Sequence, residues 1–323
     1  MKWLTVLPVA LLPGVAGAID LVLPVDCTLG QDCMLQQYVD RDPSSGWSDH
    51  RCGPMSYDGH KGTDFRLPTR AAMREGVAVL AAADGVVEGL RDGMPDIAQG
   101  EPGAPELAGR DCGNGVLLVH LGGWTTQYCH LREGSVTVEK GQRVRAGEPL
   151  GLVRLSGRSQ FPHLHITVRD PRRRVIDPFD SRHAMEPCDA AGGGDQLRTE
   201  TIPYSAGGVL SAGFTEVVPD YADIRDHAPD AGKLPRDAPA VVAWAHFYGL
   251  RAGDTIRQEI VAPGGRTVAE QSYEMPRDRA TQYRAVGRKR PDPGWPAGTY
   301  RATAELLRDG AVIARTARTL EIR

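Results

Sequence analysis

The segment 161–168, FPHLHITV, carries two imidazoles one residue apart, His163 and His165. Ile166 and Val168 are β-branched, and Pro162 suits only a strand's first position, so the segment reads as a β-strand. Side chains alternate faces along a strand, which puts both histidines on one face. Each imidazole has two ring nitrogens that need partners. Water at an edge strand satisfies them, and so does a metal ion or a water bound to one. Upstream, the run GHKGTD sets His60 and Asp64 four residues apart. On a helix that spacing shares a face, but Gly59 and Gly62 disfavour a helix. A turn leading into a strand over 63–67 brings the two groups together instead. Imidazole nitrogen and carboxylate oxygen are both good zinc ligands, although a polar turn accounts for the same residues. Between these motifs, YCHL places His130 at a strand end, where a lone histidine by itself reads as structural.

The elements that must position these residues are strands. An apolar run over 77–83 is closed by Asp84-Gly85 and resumes at Val86. Residues 116–121 and 124–130 flank Gly122-Gly123 and read as a hairpin. Residues 92–111 carry Gly, Pro and acids without periodicity and read as a long surface loop. Residues 141–151 read as tight turns between short strands. Closely spaced strands with no convincing amphipathic helix predict an all-β fold. Ala190 to Asp195 is Ala/Gly-rich, a linker signal. Beyond it, residues 240–248, 255–261, 267–273, 298–307 and 312–322 read as strands, with hairpin turns at Gly264-Gly265 and Asp309-Gly310. About seven strands in that span predict an immunoglobulin-like β-sandwich. It contains no cysteine, and its basic run 284–290 reads as a solvated strand edge.

HKGTD, YCHL and HLH, in that order, resemble the lysostaphin-like (LytM-type) zinc metallopeptidases. The intervening turns agree: the stretch 79–87, Gly113 to Gly115, and the Gly141, Val144, Gly147, Pro149, Gly151 pattern. The resemblance covers residues 53–180 and implies an antiparallel β catalytic domain. It also implies one Zn²⁺ per chain, held by His60, Asp64 and His165, with His130 and His163 as the catalytic histidines. Three protein ligands leave a fourth tetrahedral position open, as catalytic rather than structural zinc requires. One histidine would serve as general base and the other as oxyanion stabiliser; their order is open. The remaining histidines, His50, His120, His183, His227 and His246, read as structural. Tyr57 and Asp58 read as turn residues.

The implied substrate is the peptide cross-link of peptidoglycan, with the D,D-endopeptidase type favoured over glycyl-bridge cleavage. Two other readings are weaker. Non-catalytic LytM-type activators of cell-wall amidases have lost zinc ligands, whereas all five polar positions are present here. A biotinyl- or lipoyl-type carrier needs a lysine at a hairpin tip, where this chain has Gly122-Gly123.

Composition agrees with export. The 323 residues carry a formal net charge of −3, with 41% hydrophobic and 24% charged residues, so no basic excess points to nucleic acid. Residues 1–18 read as a signal peptide: Lys2, an apolar core, then Ala16-Gly17-Ala18. No other apolar stretch reaches transmembrane length. Cys27 follows Asp26 and does not read as a lipid-attachment site. A periplasmic or extracellular location is expected. There, an even set of six cysteines favours disulfides. Of the 15 possible pairings, proximity suggests Cys27–Cys33 and Cys112–Cys129, leaving Cys52–Cys188. The expected organisation is a signal peptide (1–18), a disulfide-pinned segment (19–52), a LytM-type peptidase domain (53–189), a linker (190–196) and a β-sandwich accessory domain (197–323). A partner protein or wall polymer is expected at the last of these.

Overall fold

A computed structural model describes residues 18–183, 186–191 and 194–323. The signal peptide read over 1–18 therefore lies outside the described residues except for Ala18, as do positions 192 and 193 of the linker. Among the described residues, no helix is long and apolar enough to cross a membrane.

The first half is built on β1 (Met34–Gln37), β2 (Thr63–Arg66), α1 (Arg70–Glu75), β3 (Ala78–Leu80), β4 (Gly85–Arg91), β5 (Asn114–His120), β6 (Thr125–Leu131), β7 (Arg143–Val144), β8 (Pro149–Leu152), β9 (His163–Arg169), β10 (Val175–Asp177) and β11 (Asp180–His183). Seven of these strands form an antiparallel path, β1-β2-β9-β6-β5-β4-β7, and β10 and β11 branch from β9. The expected glycine-turn hairpin is β5–β6, joined by a short 3₁₀ turn over Leu121–Gly123 in which Gly122 and Gly123 adopt φ of 75° and 85°. The central strands β6 and β9 bury residues from both faces. One face meets the apolar core of Phe65, Leu118, Tyr128, Leu164 and Ile166. The other carries the polar motif residues.

The second half comprises β12 (Gly208–Thr215), α2 (Tyr221–His227), β13 (Lys233–Leu234), β14 (Ala240–Leu250), β15 (Thr255–Val261), β16 (Thr267–Glu274), β17 (Arg279–Lys289), β18 (Gly298–Arg308) and β19 (Ala311–Ile322). They form two sheets, β12-β14-β17 and β13-β19-β18-β15-β16. Phe214, Val241 and Ala243 of the first sheet share a core with Ile260, Tyr300 and Leu320 of the second, so this is a β-sandwich. The basic run expected at a sheet edge lies at the end of β17, the outer strand of the smaller sheet. Strand β14, read from the sequence over 240–248, is buried along almost its whole length. One reason is that its outer face is covered by α2 and the chain after it, where Trp244 Nε1 donates to Pro229 O at 2.9 Å.

All three expected disulfides are present: Cys27–Cys33, Cys52–Cys188 and Cys112–Cys129. The two halves also pack together. Leu210 and Tyr248 of the sandwich belong to the same core cluster as Tyr38 and Met55. Arg74 of α1 donates to both carboxylate oxygens of Asp226 in α2, at 2.7 and 3.0 Å.

Candidate metal centre and its cleft

Three adjacent strands and one turn assemble the site. In the β2–β9 ladder Asp64 lies opposite His165 and Arg66 opposite His163. Residues directly opposed in a sheet share a face, so these four side chains line one side. His60 arrives from the turn before β2, where Gly59 takes φ of 73° and His60 N donates to Tyr57 O at 3.0 Å.

His130 reaches the site by breaking the strand alternation. Its neighbour Cys129 lies opposite His165 and faces the cleft, which would turn His130 toward the core. The β5–β6 register slips between Asn114 and Val116, and His130 takes φ of 66°. A bulge of this kind re-aims a side chain. The His130 ring thereby lies 4.6 Å from that of His163 and 6.0 Å from that of His165. A left-handed, non-glycine residue costs about 1–2 kcal/mol and persists where surrounding contacts enforce it. Here His130 N donates to Cys112 O at 2.9 Å, and the Cys112–Cys129 bond locks the same bend.

The tautomers are set by main-chain carbonyls, which only accept. His60 Nδ1 donates to Tyr38 O at 2.7 Å, His130 Nδ1 to Ser156 O at 2.7 Å and His163 Nδ1 to Phe161 O at 2.8 Å. Each is left with Nε2 as its unprotonated nitrogen. His60 Nε2 sits 3.2 Å from Asp64 Oδ1 and 3.1 Å from His165 Nδ1, which is itself 2.8 Å from Asp64 Oδ1. When His165 donates Nε2–H to Thr167 Oγ1, 3.1 Å away, its Nδ1 is a lone pair too. Three acceptors, two of them on buried residues, then converge with no proton among them, an arrangement that a cation reconciles. Ligands about 2.0–2.1 Å from a tetrahedral zinc lie about 3.3 Å apart, close to these separations. The donor set, two nitrogens and a carboxylate oxygen, fits zinc.

Charge and burial divide the histidines into two kinds. Burial pushes His60 down, but the Asp64 charge and hydrogen bond beside it more than offset this, and its net shift is upward. Burial, then the neighbouring His163 and His165, hold His130 well below the ordinary histidine value. Burial also lowers His163, against the opposing pull of Asp64. Asp64 would be raised by burial, yet the surrounding histidines hold it well below the usual carboxylate range.

The centre opens into a cleft of about 390 Å³ lined by Tyr57, His60, His130, His165, Lys61 and Arg169, among others. All five histidine and aspartate positions singled out in the sequence meet here. Tyr57 corrects the reading of it as a plain turn residue: its ring lies 4.4 Å from that of His60 and forms a wall of the cleft. Its position three residues before His60 was the available signal. Asp58 stays a turn residue. Two further contributors escaped the motifs. Thr167 follows His165 by two and so shares its face. Gly62 is needed because a Cβ there would meet the His165 ring at 2.6 Å. Two of the other buried histidines lie away from the cleft: His120 is held between Asp84 O and Thr126 Oγ1, and His50 packs on Tyr38 and Phe179.

Residues 58–178 match peptidase family M23. The chain is 35% identical over 133 residues to the cell division protein DipM of Caulobacter vibrioides, covering 38% of this chain and 19% of that protein. It is 35% identical over 106 residues to the peptidoglycan DD-endopeptidase ShyA of Vibrio cholerae, covering 33% and 19%. The chain therefore spans about a fifth of the length of these relatives. Among solved structures, the catalytic domain of lysostaphin from Staphylococcus simulans aligns at 23% identity over 38% of this chain and 77% of that one, with a TM-score of 0.27.

Proposed function

From the match of residues 58–178 to peptidase family M23, we propose that this chain is an exported zinc metalloendopeptidase that hydrolyses peptide cross-links of peptidoglycan. The observation that carries the reading is the convergence of His60 Nε2, Asp64 Oδ1 and His165 Nδ1 beside two further histidines whose Nε2 atoms are free. We assign one Zn²⁺ per chain to the first three. Bound zinc supplies Lewis-acid polarisation of the scissile carbonyl and lowers the pKa of water to about 7.

His130 and His163 do the proton work in this reading. Both are held neutral near pH 7, so either Nε2 can accept the proton of the attacking water. The other takes up a proton from solvent as the oxyanion charge develops, donates that Nε2–H to the tetrahedral oxyanion, and gives the proton back to solvent when the intermediate collapses. The imidazolium of the base returns its proton to the leaving amine. Their fixed Nδ1–H···O=C bonds keep the rings aimed without spending the reactive nitrogen. Lys61 and Arg169 on the cleft wall favour an anionic peptide, while Arg158 there is paired with Asp111 at 2.5 Å. We assign the D,D type of bond, as named for ShyA, to this chain, the peptidase unit to residues 53–189, and an accessory role to 197–323. Export places the reaction in the periplasm or outside the cell.

The test is digestion of purified peptidoglycan with product masses read out. Cross-linked dimers should become monomers with glycan strands intact, chelation should stop this, and zinc should restore it. Zinc binding without cleavage of D-alanyl or glycyl links would refute the peptidase reading and favour an amidase activator.

A further inference from the structure

A second cleft, of about 420 Å³, lies between β2 and the α2 side of the sandwich, and two arginines line it, Arg66 from β2 and Arg225 from α2. Arg66 is only 4% exposed. Its Nη1 donates to the neutral Gln36 Oε1 at 2.5 Å, its guanidinium lies 4.6 Å over the Phe161 ring, and its buried Nε has no hydrogen-bond partner. No carboxylate pairs with it among the described residues. A buried charge without a counter-ion is costly, so such a guanidinium ordinarily has an acid beside it. The acid in this cleft wall, Glu101, is already paired with Arg70. Arg225 is half-buried and donates Nη2 to Gln160 O at 3.1 Å, which leaves most of its five donors unused.

We propose that this cleft is an anion subsite that takes a carboxylate of the substrate, with Arg66 as the inner cation and Arg225 as the outer one. The identity of the ligand rests on the peptidase reading above; the subsite itself rests on the two arginines. Its position suits a substrate group near the reacting bond. Arg66 is directly opposite His163 in the β2–β9 ladder, and the Phe161 ring under its guanidinium stacks 4.5 Å from the His163 ring. The clefts also share wall residues. Gln36 and Ala280 line both the arginine cleft and a third cleft of about 350 Å³, and Tyr57 lines both that third cleft and the metal cleft. A peptide cross-link leaves at least one chain end carrying a free carboxylate, and guanidinium is the side chain suited to hold it in bidentate fashion. On this reading the sandwich supplies part of the binding site: Arg225 and Tyr221 of α2 form one wall.

The experiment uses the full zinc-loaded chain and a synthetic cross-linked stem-peptide dimer in two forms, free acid and with its terminal carboxyls amidated. Binding is measured by calorimetry, and cleavage is measured separately. The free acid should bind about tenfold or more tightly than the amide, the scale of one charge-assisted contact. Arg225→Gln and Arg66→Gln should each erase most of that preference by weakening the free acid more than the amide, and raise KM for the free acid more than they lower kcat. Arg225→Gln lies on the surface of α2, so it keeps the test intact if Arg66→Gln does not fold. Equal binding of the two forms by the wild type would overturn the subsite, as would a preference that survives both substitutions. Cleavage without a carboxylate preference overturns the subsite and leaves the peptidase reading standing. A carboxylate preference without cleavage does the reverse.

Discussion

Gly62→Ala is the sharpest probe of the metal centre, because it adds one methyl group and removes no ligand. An ideal Cβ at this position would stand 2.5 Å from Ile166 O and 2.6 Å from both Cε1 and Nε2 of His165. Ile166 pairs with Thr63 in the β2–β9 ladder, so its carbonyl has little room to yield. The His165 ring is the part that must move, and its Nδ1 is one of the three converging donors. Forcing a methyl into a filled site costs about 1–3 kcal/mol. Expressed at the ligand, that weakens zinc binding about 5- to 150-fold. Gly59→Ala is the matched control. Gly59 has a φ of 73° but open space around its missing Cβ, so alanine there costs about 1 kcal/mol of backbone strain and no ligand clash. The assay is zinc competition against a chromophoric chelator, with melting temperature as the check on folding. A Gly62→Ala protein that is folded and holds zinc within twofold of wild type would refute the argument. So would a Gly59→Ala protein that loses zinc equally.

His130→Ala and His163→Ala should fold and retain zinc yet cleave about 10²–10⁴-fold more slowly, the range for an acid–base group, whereas His60→Ala should lose the metal; metal analysis beside single-turnover rates separates the three. Loop closure predicts an order among the disulfides: replacing Cys52 and Cys188 by Ser should cost most, about 5 kcal/mol for a separation of 136 residues, against about 3 and about 2 for separations of 17 and 6. Urea melts of the three double mutants test that order. His246 is held neutral at about 3 by burial and then by the Arg66 and Arg225 charges. The unfolded chain binds a proton there that the folded chain refuses, so this stability is present above about pH 6.5 and is lost as pH falls toward 3, by at most about 5 kcal/mol. His246→Gln should flatten that part of the stability–pH curve, and an unchanged slope would contradict it.

How far the sequence reveals this molecule depends on whether a feature is local. The β2 and β9 motifs are legible because alternation alone puts His163 beside His165 and places Asp64 on a facing strand. The β5–β6 hairpin is legible from Gly122-Gly123. His130 is the instructive exception. Strand alternation sends it into the core, and only the positive φ at the bulge returns it to the cleft. No propensity announces that conformation for a histidine, so its role came from the resemblance. The same bend brings Cys112 beside Cys129. Gly113, at φ of 65°, packs where a Cβ would lie 2.4 Å from the Ser156 backbone, and this lets the chain fold back beside β6. Strands β12 and β17 carry weak sequence signals. Gly, Ser and Ala break the pattern of β12, and β17 is an edge strand rich in exposed polar residues. Arg66 is illegible in the sequence, because one arginine inside a strand carries no signal without its burial and missing counter-ion.

The contacts also tie the sandwich to the metal centre through one residue. Tyr38 is fully buried, and its carbonyl accepts the Nδ1–H that fixes the tautomer of His60. Its ring stacks 5.5 Å from Tyr204, its hydroxyl accepts from Ser205 N at 2.9 Å, and it shares a core with Tyr248 of β14. Burial lifts its hydroxyl well above the ordinary tyrosine value, which keeps it a neutral partner at any physiological pH. Three of the groups that hold Tyr38 therefore come from residues beyond position 200, while the group it holds is a proposed zinc ligand. The Cys52–Cys188 bond closes the same neighbourhood from the other side. A ligand whose orientation depends on a second-shell carbonyl is only as well aimed as the backbone that bears it. In this chain that backbone is clamped between the two halves, so the sandwich contributes to the precision of the centre and not only to the wall of its groove.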